Sequence, residues 1–324
     1  MSGDHERAGF EALAATGAED TAARSLAAKL KAKQDGGDVK ALAALWLHCA
    51  AAAPERTPGV YDAACEGWFG EPVEGPPIKT AGAPPEPISG AFWKGLWALV
   101  REPRHGLEAV NLTTKTAALA GLVAPGLPER VGRAAMAFPQ VPAAVAQGMP
   151  KRFDLDALAR YPAGSLASDF LAMLTAEGFD PEPLDRAALG VEQLPPPLAY
   201  LNARILQCHD LWHMVAGYRT TALHEVAISG FQLAQFGHHY SAMFLGMVLT
   251  RVAFEMPEGA PILLQTILSA WAHGRRSPPL LPVKWESLWD KPLSEVRARL
   301  KIEPFVSPFP ADLFEQLNIP ADAA

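Results

Sequence analysis

The chain has 324 residues, 49% of them hydrophobic and 19% charged, and its 28 Lys and Arg against 35 Asp and Glu give a formal net charge of -7. That length supports a sizeable core in one large or two smaller domains, and an acidic balance with no long basic run argues against a nucleic-acid-binding groove, which needs cations to offset phosphates. The three cysteines, Cys49, Cys65 and Cys208, are odd in number and irregular in spacing, which suits a reducing compartment better than a disulfide framework.

In chain order, residues 1–29 carry Asp4, Glu6, Arg7, Glu11, Glu19 and Asp20 and read as no secretory signal. An amphipathic helix is predicted over 20–33, with Leu26, Ala27 and Leu30 on one side and Lys29, Lys31 and Lys33 mostly on the other. Asp38 is expected to cap a second helix over 39–52, with the stripe Leu42, Leu45, Trp46 and Cys49. The Pro/Gly-rich run 70–87, containing Glu74-Gly75-Pro76-Pro77 and Pro84-Pro85-Glu86-Pro87, can hold neither a helix nor a central strand and is expected as a linker or ordered surface tether. The expected organisation is a helical N-terminal appendage (1–70), a linker (71–88), a helical core domain (89–302) and a C-terminal tail (303–324).

Helical period returns after Ser89 with Phe92, Leu96, Leu99 and Val100 and stops at Glu102-Pro103; a further helix is predicted over 107–121. Residues 122–149 are apolar but broken by Pro125, Pro128, Pro139, Pro142 and Gly148, and read as an irregular core connection in preference to a lid over an apolar cavity. Ser165 caps a helix that buries Leu166, Phe170, Met173 and Leu174 and ends at Gly178. Pro195-Pro196-Pro197 precedes the next helix, and helices follow over 222–237, 240–254, 261–273, with Pro261 in the first turn, and 293–300. The most apolar stretch, 241–250, is stopped by Arg251, well short of the about 20 residues that a membrane span needs. No strand alternation bounded by turns is convincing. The expected fold class is all-α, a multi-helix bundle, in a cytoplasmic protein with peripheral membrane contact left open.

The chemistry concentrates in His209-Asp210-Leu211-Trp212-His213, followed by eleven residues and Glu225. At about 100° per residue, His209 and His213 lie roughly 40° apart and Asp210 about 100° from His209, so one helical face can present all three. Glu225 would fall roughly 160° away on an unbroken helix. Gly217 is expected to end the first helix and Thr220 or Thr221 to cap the second, so that a helical hairpin brings Glu225 opposite the histidines. The candidate metal ligands are therefore His209, Asp210, His213 and Glu225, and their donor types admit zinc, iron or manganese. The apolar stripe Leu201, Ile205, Cys208, Trp212 and Val215 is expected to face the core.

On the second helix, Gln232 and Phe236 fall within roughly 20° of Glu225 and His239 within about 40°. Gln232 is a candidate hydrogen-bond partner of a ligand or substrate, and His238 and His239 read as surface histidines. His224, about 100° from Glu225, is expected to face elsewhere. Met214, Phe231, Met243, Phe244, Met247 and the region 136–149 could line an apolar groove, although Met and Phe stripes are more often core. Arg275 and Arg276 are candidates for anionic headgroups, with a solvated helix end as the blander reading.

These residues resemble the fourth coenzyme Q biosynthesis protein family, whose hallmark is H-D-x-x-H, eleven residues and E. The likeness extends to Tyr200-Leu201, Trp212, Gly217-Tyr218, residues 231–235, Gly164-Ser165-Leu166, Gly274-Arg275-Arg276, Trp285 and residues 292–297, and covers about residues 90–302. The Pro-rich stretch 277–282 departs from the helix expected there, and residues 1–87 carry no feature matched to the family. The resemblance implies an all-helical fold and a metal-dependent role in ubiquinone biosynthesis: removal of the ring carboxyl of a polyprenylated hydroxybenzoate with hydroxylation at that carbon. It further implies a divalent metal, zinc first, at His209, Asp210, His213 and Glu225, taken as both metal-binding and catalytic. Gln232, Phe236 and Met214 would then contact the substrate. The implied partners are a prenylated quinone precursor and other ubiquinone-biosynthesis proteins, with peripheral contact at the inner face of the membrane and a homo-oligomer compatible.

Two alternatives stand beside that reading. One is a non-catalytic lipid-binding scaffold for the pathway enzymes. The other is a His-Asp phosphohydrolase, weakened because its upstream His candidate, His105, has no recognisable helper.

Overall fold

The computed structural model describes residues 2–33, 35–102, 109–178, 186–187 and 190–317. Helices succeed one another as α1 (Ser2–Thr16), α2 (Asp20–Ala32), α3 (Gly36–Ala51), α4 (Thr57–Phe69), α5 (Gly90–Val100), α6 (Ala109–Ala120), α7 (Leu127–Met136), α8 (Val141–Val145), α9 (Leu155–Leu158), α10 (Leu166–Glu177), α11 (Pro196–Ala216), α12 (Ala222–Phe236), α13 (His239–Glu255), α14 (Ala260–Arg276), α15 (Leu293–Leu300) and α16 (Leu313–Leu317). No strand occurs among the described residues, so the fold is all-α as expected. None of the described helices is long and apolar enough to cross a membrane. His105 and Pro103 lie outside the described residues.

Several helix ends follow the local chemistry. Ser89 accepts a hydrogen bond from Phe92 N (3.0 Å) and Ser165 from Ser168 N (3.2 Å), each opening a helix. Gly178 closes α10 in the left-handed conformation. Asp38, the expected cap of α3, lies within the helix: Asp35 caps it instead, accepting from Gly37 N at 2.7 Å. In 122–149 two of the prolines start helices, Pro128 in the first turn of α7 and Pro142 in that of α8, because a first-turn residue needs no amide hydrogen.

Two hydrophobic clusters form the interior. One joins α1–α5 to α13 and α14, and the other is built by α7, α8, α10, α11 and the segment 280–305. The first 70 residues, expected as an appendage, contribute directly to that first cluster. Trp46 of α3 stacks on Tyr61 of α4 at 4.4 Å, and Tyr61 lies 4.8 Å from Trp271 of α14. The reason is visible in α3, where Val39, Leu42, Ala43, Ala44, Trp46, Leu47, Cys49 and Ala50 are all buried; a helix apolar on every side has to be enclosed. The Pro/Gly-rich run is laid against this layer, with Thr80 Oγ1 donating to Glu55 O (2.7 Å) and Glu86 N to Ala52 O (2.9 Å). Arg130 of α7 reaches through it to pair with buried Glu55.

The central helix is α12. Val226, Leu233 and Ala234 belong to the first cluster, and Ala227, Ile228, Phe231 and Phe236 to the second. From Leu223 to Phe236 every residue is buried except Glu225. Beyond its exposed first residue, Ala222, a helix enclosed on both sides thus opens at a carboxylate.

Candidate metal centre

The stripe Leu201, Ile205, Cys208, Trp212 and Val215 of α11 is buried in the second cluster, which turns the neighbouring His209 and His213 toward α12. Gly217 ends α11 with φ 82°, and Tyr218 N donates to His213 O at 2.8 Å. Thr221 occupies the N-cap position of α12, but its hydroxyl does not cap the helix: it donates to Ala311 O (2.6 Å).

The hairpin brings three side chains together. His213 Nε2 lies 3.2 Å from Glu225 Oε1, His209 Nε2 lies 3.3 Å from Glu225 Oε2, and the two imidazole nitrogens are 3.1 Å apart. Donors bound at about 2.0–2.1 Å to one tetrahedral ion stand roughly 3.3 Å from one another, so the separations suit a divalent metal. The proton arrangement agrees. His213 Nδ1 donates to Arg219 O (3.0 Å), so a neutral His213 turns the lone pair of Nε2 toward a carboxylate oxygen. A shared proton or a cation relieves that contact.

His209 Nδ1 is 2.9 Å from Gln232 Nε2. Burial disfavours the charged imidazole of His209, but the hydrogen bond and charge of Glu225, with Asp210 and Gln232, outweigh it and raise its pKa. Burial pushes Glu225 up, yet the charge of His213 and hydrogen bonds from both imidazoles hold its carboxyl well below the usual range.

The other expected site residues stand apart from that triad. Asp210 is half-buried, its pKa raised by burial against the lowering charges of His209 and His213, and the convergent ligand group comprises His209, His213 and Glu225 without it. Met214 is half-buried against the second cluster. Phe236 is buried against Trp212, ring centroids 5.4 Å apart. His224 faces away, accepting from Arg219 N at 2.7 Å.

Phe231, Met243, Phe244 and Met247 are all buried core, as Met and Phe stripes more often are. Two expectations need correction. His238 is buried rather than a surface residue, with Nδ1 2.8 Å from Ser241 Oγ, while half-buried His239 donates from Nε2 to Ala50 O (2.7 Å). Arg275 is buried and paired with Asp62 at 3.1 Å, which leaves it no charge to offer a headgroup. Arg276 is exposed beside a cavity of about 250 Å³ lined also by Glu74, Ile78, Phe138 and Pro279, and by none of the triad residues.

Sequence reasoning missed the carbonyl of Arg219, which fixes His213 and carries no side-chain signal. It also missed the contacts of the C-terminal segment.

An all-helical protein with a two-histidine, one-carboxylate centre closed by a helical hairpin is the class that fold and site define. Residues 107–306 match the family model described as coenzyme Q (ubiquinone) biosynthesis protein Coq4, and the chain belongs to that family. The mitochondrial ubiquinone biosynthesis protein COQ4 homolog of Drosophila ananassae is 32% identical over 150 residues, covering 46% of this chain and 54% of that protein. The mitochondrial COQ4 of Yarrowia lipolytica is 31% identical over 153 residues, covering 47% and 56%. The chain thus spans about half the length of the curated relatives it matches. A solved structure from Nostoc punctiforme overlaps 66% of this chain and 95% of its own at 23% identity and a TM-score of 0.49.

Proposed function

We propose that this protein acts in ubiquinone biosynthesis on a polyprenylated hydroxybenzoate, holding a divalent metal at His209, His213 and Glu225 with Asp210 beside them. The observation that carries the reading is the convergence of the three ligand atoms within 4.8 Å of one another, in a chain that belongs to a ubiquinone-biosynthesis family. Zinc, iron and manganese all suit two imidazoles and a carboxylate. Such a metal supplies Lewis acidity toward the carboxylate and phenolate oxygens of the substrate.

The chain's own residues do the positioning. The Arg219 carbonyl holds the ring of His213, Gln232 holds that of His209, and half-buried Met214 offers an apolar contact one residue beyond His213. Phe236 shapes the site from beneath, through Trp212. Replacing a ring carboxyl by hydroxyl releases carbon dioxide and removes two electrons from the ring, so the full reaction requires an oxidant such as dioxygen and a redox-active ion. Positioning of the substrate is the minimum role. A prenylated substrate calls for peripheral contact with a membrane, here at its cytoplasmic face, and for hand-over to other ubiquinone-biosynthesis proteins; a homo-oligomer is compatible.

Elemental analysis of the purified protein, followed by mass spectrometry of products with each metal under oxygen, tests the proposal. Loss of carbon dioxide with a gained hydroxyl is expected for the catalyst. Unchanged substrate under every metal overturns the enzyme, and lipid and partner binding retained by His213→Ala would then mark a scaffold.

A further inference from the structure

The residues between His213 and Glu225 are gripped from outside the hairpin. At the C-terminal end of α11, Arg297 of α15 donates from its guanidinium to Met214 O (2.7 Å) and Val215 O (3.0 Å), and Phe305 N donates to Ala216 O (2.8 Å). Tyr218 stacks on Phe305 at 4.5 Å, and its hydroxyl lies 2.8 Å from His273 Nδ1. At the start of α12, Glu315 Oε1 accepts from Ala222 N (2.7 Å), one of the first-turn amides that have no partner within the helix, while Thr221 is held by Ala311 O. Helix C-termini carry partial negative charge and N-termini partial positive charge. A guanidinium therefore sits on the first end and a carboxylate on the second, both supplied by one stretch of chain.

We propose that the segment from Arg297 to Glu315 is a positioning clamp that sets the register of His213 against Glu225. The proposal rests on the metal reading above. Metal ligation tolerates errors of only about 0.2 Å, so a hairpin whose two ends can slide holds an ion poorly even when every ligand is present. Ala311 and Glu315 lie beyond residue 306, where the family match ends.

The test uses the full-length protein, with zinc affinity measured by chelator competition, the visible spectrum of the cobalt-loaded form, and the melting temperature without metal. Glu315 is exposed, so Glu315→Ala should melt as the wild type does. It should nevertheless bind zinc about tenfold more weakly, in the lower range seen when groups that support ligands are removed, and shift the cobalt spectrum. Glu315→Gln, which keeps an acceptor oxygen, should recover most of the affinity, and Gln316→Ala, at a neighbouring exposed position, should change nothing. Arg297→Lys should weaken zinc at the other end of the turn. Wild-type affinity and spectrum in both Glu315→Ala and Arg297→Lys would overturn the clamp while leaving the metal centre standing. A wild type that binds no metal would overturn the metal reading, and the clamp with it.

Discussion

Gln232 places its amide nitrogen 2.9 Å from Nδ1 of His209, whereas the equivalent nitrogen of His213 meets a main-chain carbonyl, Arg219 O, at 3.0 Å. A carbonyl can only accept, so it fixes one tautomer of His213. A side-chain amide can turn either face to the ring and so supports His209 with its proton on either nitrogen. Metal ligation at Nε2 requires the proton on Nδ1 and an oxygen facing it. Gln232→Leu is therefore expected to weaken zinc binding by about 10–100-fold, and Gln232→Glu to retain or tighten it. Titration calorimetry decides the matter, and a Leu variant with unaltered affinity excludes Gln232 as the support of His209.

Metal uptake should depend on pH through His209. Its pKa stands above the ordinary 6.5, and a ligand imidazole must first lose its extra proton. Affinity is expected to rise as pH climbs through that raised value, with more protons released per ion at about pH 6 than at about pH 8. In the metal-free protein, the His209 contribution to stability is fully present below 6.5 and lost as pH rises through the folded value. That of Glu225 is present above 4.5 and lost as pH falls through its depressed one. Calorimetry in buffers of different protonation enthalpy measures the proton count, and a pH-independent count would contradict the raised pKa of His209.

Much of the site is local and so could be read in the sequence. The 3–4 spacing of His209 and His213, the apolar stripe behind them and the break at Gly217 involve neighbours a turn or two apart. What could not be read is held by distance along the chain. Glu315 accepts from the first amide of α12 and Thr221 caps nothing, while Arg297 grips carbonyls some eighty residues earlier; neither pattern has a local mark. The packing of the N-terminal helices leaves no local mark for a different reason. The Pro/Gly-rich run after Phe69 reads as a separator, whereas α3 is enclosed by its neighbours α1, α2 and α4 together with α13, far along the chain. Met243 and Met247 are core, the commoner reading of such a stripe, although an apolar stripe alone does not say whether a ligand or another helix covers it.

The contact between the N-terminal layer and α7 depends on a buried charge pair. The side chains of Arg130 and Glu55 are 6% and 7% exposed, and Arg130 also donates to Pro84 O at 2.6 Å. Removing Glu55 leaves enclosed Arg130 with half-buried Glu86, 3.5 Å away, as its remaining carboxylate, so the cost should lie at the lower end of the about 3–5 kcal/mol of a broken buried pair. Glu55→Ala is expected to destabilise by that amount in denaturant unfolding. The double replacement Glu55→Leu with Arg130→Met should recover most of the loss. A double variant as unstable as the single one would show that the cost lies in packing and not in charge.

Gly217 offers a direct measure of how tightly the hairpin turn is held. Its φ is 82°, and a Cβ there would stand 2.7 Å from Pro304 Cβ and 3.0 Å from Phe305 N. Gly178 has a similar φ of 66° but nothing within 4 Å of the same position. An alanine at Gly178 should therefore cost only the left-handed backbone term, about 1–2 kcal/mol. Gly217→Ala has to displace the C-terminal segment as well, so its loss of stability should exceed that of Gly178→Ala, and zinc affinity should fall only in the Gly217 variant. Paired unfolding and zinc titrations of the two variants separate backbone strain from displacement of the turn. Equal effects on both measurements would mean that Pro304 and Phe305 yield freely.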